Sequence, residues 1–179
     1  KSWYSKVDKF LEDNVRYIGI QIGASTISRM WPIERWIDLV NKLLDYDINL
    51  QVILTGSELD RQLTDKVENS IQNQRVLNMA GLLDLCSAAA LIDRLDLLIT
   101  PDTGPLHIAA AVKTPTIAIS VAGNSVESNP IDKEITHVFI QKPIICSPCL
   151  DKKCKNAICM SQISVYEVFS HVKILFKIN

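Results

Sequence analysis

Three short segments of this sequence combine glycine, hydroxyls and charge in a way that suits a phosphate ester. The first is Pro101-Asp102-Thr103-Gly104-Pro105-Leu106-His107. It follows an apolar run and leads into a helical pattern. A helix start offers unpaired N–H groups and positive potential, and both favour a phosphate. Gly104 lets the backbone approach a ligand closely. Thr103 supplies a hydroxyl, and His107 falls in the first helical turn with a ring able to donate to an anion. The same residues fit a purely structural role, with Asp102 or Thr103 as an N-cap and His107 packed.

The second segment is Gly23-Ala24-Ser25-Thr26-Ile27-Ser28-Arg29-Met30-Trp31-Pro32. A glycine turn with several hydroxyls and one Arg before a helix can bind a diphosphate, because a guanidinium gives bidentate, charge-assisted hydrogen bonds. There is no GxGxxG, so this is not a dinucleotide fingerprint. The alternative for Arg29 is a solvated surface charge. Trp31 and Trp36 read as core residues. The third segment is Thr55-Gly56-Ser57-Glu58-Leu59-Asp60. A carboxylate past the second strand is the usual acceptor from ribose hydroxyls, and both Glu58 and Asp60 qualify. Acids in a first helical turn also favour the dipole without any ligand.

A separate cluster is Cys146-x2-Cys149-x4-Cys154-x4-Cys159. Four thiolates suit tetrahedral zinc, although the spacing is tighter than a paired C-x2-C site. Structural thiols or disulfides, a structural zinc and a redox role all fit the pattern. Cys86 stands alone.

The elements that position these segments alternate. Strands are predicted over residues 16–22, 50–54, 76–79, 95–100, 114–121 and 137–141. Helices are predicted over 33–46, after Pro32, over 58–71, over 85–93 with Asp84 as its cap, over 103–112 and over 164–176. Residues 123–134 read as a loop, and 144–161 as an irregular excursion rich in cysteine. Strand–helix alternation with short connections implies parallel crossovers, and continuous apolar strands imply that both faces of the sheet are covered. The expected fold is a doubly wound, Rossmann-like α/β sheet. Its ligands bind beyond the carboxyl ends of the strands. That puts the loops 23–31, 55–60, 80–84 and 100–107 together.

Composition limits the alternatives. The 179 residues are 47% hydrophobic and 22% charged, with net charge −1. One well-buried domain is expected. Nucleic-acid binding is not, since it normally brings a basic excess. No apolar run approaches the ~18 residues of a membrane-spanning helix. Residues 1–14 lack the pattern of a signal peptide, and the sequence starts without Met, as a piece of a longer protein would.

Taken in order, these segments resemble the carboxyl-terminal domain of the lipopolysaccharide heptosyltransferases, glycosyltransferase family 9. The residues that carry the likeness are Ile20-Gln21-Ile22-Gly23-Ala24-Ser25, Arg29-Met30-Trp31-Pro32-Ile33-Glu34-Arg35-Trp36 and Val52-Ile53-Leu54-Thr55-Gly56-Ser57. Further along come Asn78-Met79-Ala80-Gly81, Asp102-Thr103-Gly104-Pro105-Leu106-His107-Ile108-Ala109-Ala110-Ala111 and Thr114-Pro115-Thr116. The resemblance implies one half of a GT-B enzyme, with residues 15–179 as the donor domain and 1–14 as the end of the interdomain connection. It implies ADP-heptose as donor and the inner core of lipopolysaccharide as acceptor. By the resemblance, Ser25 and Arg29 hold phosphate, Asp60 holds ribose and Leu83 packs near adenine. Asp102, Thr103, Gly104 and His107 then form the diphosphate and sugar part of the site.

The same likeness implies inverting displacement, with the catalytic base on the other half of the enzyme and none in this chain. It implies no required cofactor and a cytoplasmic location at the inner face of the inner membrane, with any membrane contact coming from the other half or from the acceptor itself. The sequence departs from the family pattern at Ile22, where Pro is usual, and at Ser120-Val121, where an aromatic residue and Gly are usual. Three other functions remain open: a stand-alone nucleotide-binding module, a metal-binding interaction module organised by the cysteines, and a related transferase using another nucleotide sugar.

Overall fold

The computed structural model describes residues 2–120, 136–146, 154 and 156–176. The end of the expected fifth strand at Val121, the loop 123–134 and Cys149 lie outside them.

Among the described residues the strands are β1 (Arg16–Gln21), β2 (Leu50–Thr55), β3 (Val76–Asn78), β4 (Leu97–Pro101), β5 (Thr116–Ile119) and β6 (His137–Ile140). The helices are α1 (Ser2–Val7), α2 (Ile33–Tyr46), α3 (Arg61–Ile71), α4 (Leu85–Asp93), α5 (Gly104–Ala111), α6 (Ile158–Gln162) and α7 (Val165–Leu175). The strands form one sheet in the order β3-β2-β1-β4-β5-β6, with every pair parallel. Strand order reverses between β1 and β4. A crevice opens there, beyond the carboxyl ends of the two strands.

Strand alternation sorts the core into two layers. Ile18, Ile20, Val52, Leu54, Leu97 and Ile99 face one side and pack with Trp36, Leu39, Leu43, Val67, Val168 and Val172 from α2, α3 and α7. Tyr17, Ile53 and Leu98 face the other side, with Val7, Ala90, Leu91 and Ala109 from α1, α4 and α5. By the same alternation Gln21 faces the side of α4 and α5. Helix α2 follows its sequence signals: Pro32 stands at its N-cap, and Trp36, Leu39, Val40, Leu43 and Leu44 form one buried stripe. Trp31 and Trp36 are core residues, with their rings edge to face at 4.9 Å.

Two fastenings hold the loop after β1 and the start of β1 to the carboxyl-terminal segment. Trp31 Nε1 donates to the Ile163 carbonyl at 3.0 Å, and the Arg35 guanidinium donates to the same oxygen. The Arg16 guanidinium lies 3.6 Å from the centre of the Phe176 ring and donates to the Phe176 carbonyl.

Several boundaries differ from expectation. Strand β4 starts at Leu97, because residues 94–96 form the turn out of α4, and Asp96 instead accepts the Tyr17 N–H at 2.7 Å. Strand β5 starts at Thr116, because the Thr114 hydroxyl is turned to the Ile92 carbonyl. Residues 58–60 are a separate 3-10 turn before α3, closed by a capping box in which Ser57 and Asp60 bond reciprocally. The excursion 144–161 contains most of α6, a helix too short for a periodic signal, which buries Cys159 and Met160. Residues 1–14 contain α1, which docks on α4 through Lys6–Asp84, Tyr4–Asp93 and Arg94–Asp8, each at 3.0 Å.

Candidate functional site

The loops leaving β1, β2 and β4 converge on a trough that runs along the crevice. One end is a cavity of about 390 Å³ whose wall includes Met79, Leu83, Leu85, Ala88, Leu91, Ile92 and Ile108. Helix α4 supplies much of this wall. Asp84 caps that helix by accepting the Ser87 N–H at 2.8 Å and also pairs with Lys6. The cap bond and, after it, Lys6 hold the Asp84 carboxyl well below the usual carboxylate range, at about 2. The wall is therefore apolar, with its first turn fixed electrostatically.

The middle of the trough is a smaller cavity of about 300 Å³ lined by Gln21, Gly23, Ala24, Ser25, Ser57, Leu59, Asp60, Thr103 and Pro105. Gln21, Ser57, Asp60 and Pro105 belong to the apolar cavity as well, so the two are continuous. Asp60 is the carboxylate that the geometry selects. Its Oδ2 accepts the Ser57 N–H and the Ser57 hydroxyl, both at 2.8 Å, while Oδ1 lies against Gly23. A Cβ on Gly23 would overlap that oxygen, and one on Gly56 would stand 2.8 Å from the Asp60 Cβ. The two glycines are thus required by the approach of one side chain. Glu58, the other candidate, turns away to pack against Gly81 and lines none of these cavities.

The far end is a cavity of about 370 Å³ lined by Ser25, Arg29, Asp102, Thr103, Gly104 and His107. Ser25 and Thr103 connect it to the middle. Thr103 holds the N-cap position of α5 in extended conformation but makes no side-chain cap bond, and Pro105 occupies the first turn. Its hydroxyl instead reaches the Pro101 carbonyl and the Thr100 hydroxyl, both at 3.3 Å. Among the described residues no side chain caps the start of α5, and its positive end faces the cavity. A Cβ at Gly104 would meet nothing within 4 Å, so its hydrogen faces open space where a ligand atom fits. His107 is exposed and Arg29 half-buried. Arg29 is the only Lys or Arg among these lining residues.

All eight binding residues expected from the sequence, Ser25, Arg29, Asp60, Leu83, Asp102, Thr103, Gly104 and His107, fall on this one trough. Sequence reasoning missed Gln21, Ser57, Met79, Pro105 and Ile108 as lining residues. Ser57 was legible as the first residue of a capping box, and Gln21 as a polar residue within an apolar strand. The described cysteines, Cys86, Cys146, Cys154 and Cys159, line none of these cavities. Cys146 is exposed, Cys154 half-buried and Cys159 buried, and all three are free thiols. Among the described residues no three His, Cys, Asp or Glu side chains gather as a metal site would need.

Comparison with known proteins gives this trough a context. The sequence model of glycosyltransferase family 9 (heptosyltransferase) matches residues 2–159. The chain is 24% identical to lipooligosaccharide heptosyltransferase 2 of Campylobacter jejuni subsp. jejuni serotype O:2 over 176 residues, covering 93% of this chain and 53% of that protein. The E. coli ADP-heptose lps heptosyltransferase II structure overlays 98% of this chain and 51% of its own, with a TM-score of 0.80 at 21% identity. The E. coli heptosyltransferase WaaC with ADP overlays 96% of this chain and 48% of its own, with a TM-score of 0.71 at 16% identity. The chain spans about half the length of each.

Proposed function

The chain belongs to glycosyltransferase family 9, the heptosyltransferases, and on that premise we propose that it is the donor-binding domain of an inverting enzyme that transfers heptose from ADP-heptose to the lipopolysaccharide inner core. One observation carries this reading. The trough changes character along its length in the order of the parts of a nucleotide sugar. It is apolar at Leu83 and Met79, carries a carboxylate acceptor at Asp60, and ends at Ser25, Arg29 and the open start of α5. Adenine sits at the apolar end and ribose at Asp60. The diphosphate lies over Ser25, Arg29, Thr103 and Gly104, with the sugar toward Asp102 and His107. The similar E. coli proteins solved with ADP or named for ADP-heptose support this choice of donor.

The chemistry follows from where charge develops. When the anomeric C–O bond breaks, negative charge builds on the departing diphosphate. Arg29, the His107 ring and the N–H groups at the start of α5 line that end of the trough and would stabilise the charge, the N–H groups being held in place by the helix. The carboxylate that deprotonates the acceptor hydroxyl is assigned to the other half of the enzyme, and no residue of this chain takes that role. The reading places the enzyme at the inner face of the inner membrane, reached by peripheral contact. No helix among the described residues is long and apolar enough to cross a membrane.

The test is calorimetric titration of this chain with ADP, ADP-heptose and UDP, repeated with Arg29→Ala and Asp102→Ala. Saturable binding of ADP and ADP-heptose, with UDP much weaker, is expected. Arg29→Ala weakens both adenine ligands, and Asp102→Ala weakens ADP-heptose more than ADP. Equal binding of UDP and ADP-heptose would overturn the donor assignment.

A further inference from the structure

Strand β1 is apolar and covered on both faces, yet it ends in a buried polar side chain. Gln21 is only 5% exposed, between Ile20 and Ile22, which are buried in the opposite layer. An amide in such a place is costly unless its groups are used. Its carbonyl oxygen accepts the Thr55 hydroxyl at 3.2 Å, and its Nε2 donates to the Gly23 carbonyl at 3.3 Å. These contacts fix the orientation of the amide, because a backbone carbonyl accepts only from the nitrogen. An amide nitrogen has two N–H groups. Among the described residues the second has no partner, and Gln21 lines both the apolar and the middle cavity.

Asp60 stands beside it with the opposite polarity. Ser57 occupies Oδ2, and Oδ1 is left against Gly23. Gly23 is therefore the shared neighbour: its carbonyl holds Gln21 and its bare Cα admits Asp60. The junction of the two cavities presents one N–H donor and one carboxylate acceptor. A vicinal diol offers the two groups separate hydroxyls, one donating to the carboxylate and one accepting the amide N–H, whereas a deoxy analogue must serve both from one hydroxyl.

We propose that Gln21 is a specificity-determining residue that acts with Asp60 as a donor–acceptor pair reading the ribose diol, and so selects ribonucleotide over deoxyribonucleotide donors. The proposal rests on the donor-binding reading above. The experiment is calorimetric titration of the chain and of Gln21→Met with ADP, 2′-deoxy-ADP and 3′-deoxy-ADP, with thermal melting to confirm folding. The unsubstituted chain is expected to favour ADP over at least one deoxy analogue about threefold to tenfold, the range one hydrogen bond provides. Gln21→Met is expected to weaken ADP by a similar factor and to reduce that preference to within about twofold. Gln21→Glu, of equal size but with no donor and an added charge beside Asp60, is expected to lose the preference as well. If either folded variant keeps the full preference, Gln21 is only a tie between β1 and β2 and the pair is overturned. If the unsubstituted chain binds ADP without any preference, the pair is overturned while the donor reading stands. If it binds no ADP, both fall.

Discussion

The Asp60 carboxylate lies directly against the Cα of Gly23, at a distance that leaves no room for a methyl group. This contact joins the loop after β1 to the loop after β2 across the floor of the trough. Gly23→Ala forces one of the two loops to move. Calorimetry is expected to show ADP affinity reduced about tenfold or more, equivalent to at least about 1.4 kcal/mol. Unchanged affinity would mean that Asp60 takes no part in binding.

Arg29 is the single Lys or Arg among the described lining residues of the trough, so it should dominate their response to phosphate charge. Hydrogen bonds to charged groups contribute about 1.5–3 kcal/mol. Arg29→Ala is therefore expected to weaken ADP about tenfold to a hundredfold, and Arg29→Lys to recover only part of that loss. Isothermal titration at two salt concentrations checks this, and the affinity of the Ala variant should respond less to salt.

Leu83 belongs to the apolar end and to neither of the other cavities. Leu83→Ala should weaken ADP about threefold to tenfold through lost apolar burial. Binding of inorganic pyrophosphate, measured in competition with ADP, should stay constant. A parallel loss for both ligands would show that the base is bound somewhere else.

Asp84 sets a pH limit on helix α4. Its folded-state pKa, about 2, is lowered by the Ser87 N–H and by Lys6. A carboxyl with a depressed folded pKa stabilises the fold fully above its unfolded pKa, and that contribution is lost as pH falls through the folded value. The difference in melting temperature between the parent chain and Asp84→Ala should accordingly be constant above about pH 5. It should shrink as the pH is lowered toward 2. A carboxyl 13C titration of Asp84 should have its midpoint near 2.

Trp36 is fully buried between α2 and the sheet, edge to face with Trp31. Trp36→Ala is expected to cost about 3–5 kcal/mol in chemical denaturation. Trp31→Phe replaces the indole by a smaller ring and removes the donor to the Ile163 carbonyl, so about 1 kcal/mol is expected from the lost bond and a further cost from the space left behind.

The alternation of strands and helices was legible because β1, β2 and β4 are runs of apolar residues and α2 carries a clear periodic stripe. The site loops were legible for a related reason: once the sheet is parallel, their positions follow from topology. What escaped was set by contacts distant in sequence or by very short elements. By spacing alone Asp60 and Glu58 look alike; the family resemblance named Asp60, and the contacts with Ser57 and Gly23, invisible in the sequence, supply the physical reason. Helices α1 and α6 have 6 and 5 residues, too few for a periodic pattern. Gln21 stood out as a polar residue within an apolar strand, but only the folded sheet shows that its face of β1 opens on the trough.

The fastenings from Trp31 and Arg35 to Ile163, and from Arg16 to Phe176, bear on the order of events during synthesis. Strand β1 and the loop that follows it are synthesised before their anchors, which come 132 residues after Trp31 and 160 residues after Arg16. Neighbours β1 and β2 can pair while the chain is still growing. The loop bearing Arg29 gains its Trp31–Ile163 bond only when residue 163 arrives, and the strand beneath it gains its contact with Phe176 only at residue 176. A nascent chain paused before those points lacks both anchors, so under the proposed donor-binding role its competence for a nucleotide would be set only once residues 163 and 176 have been added.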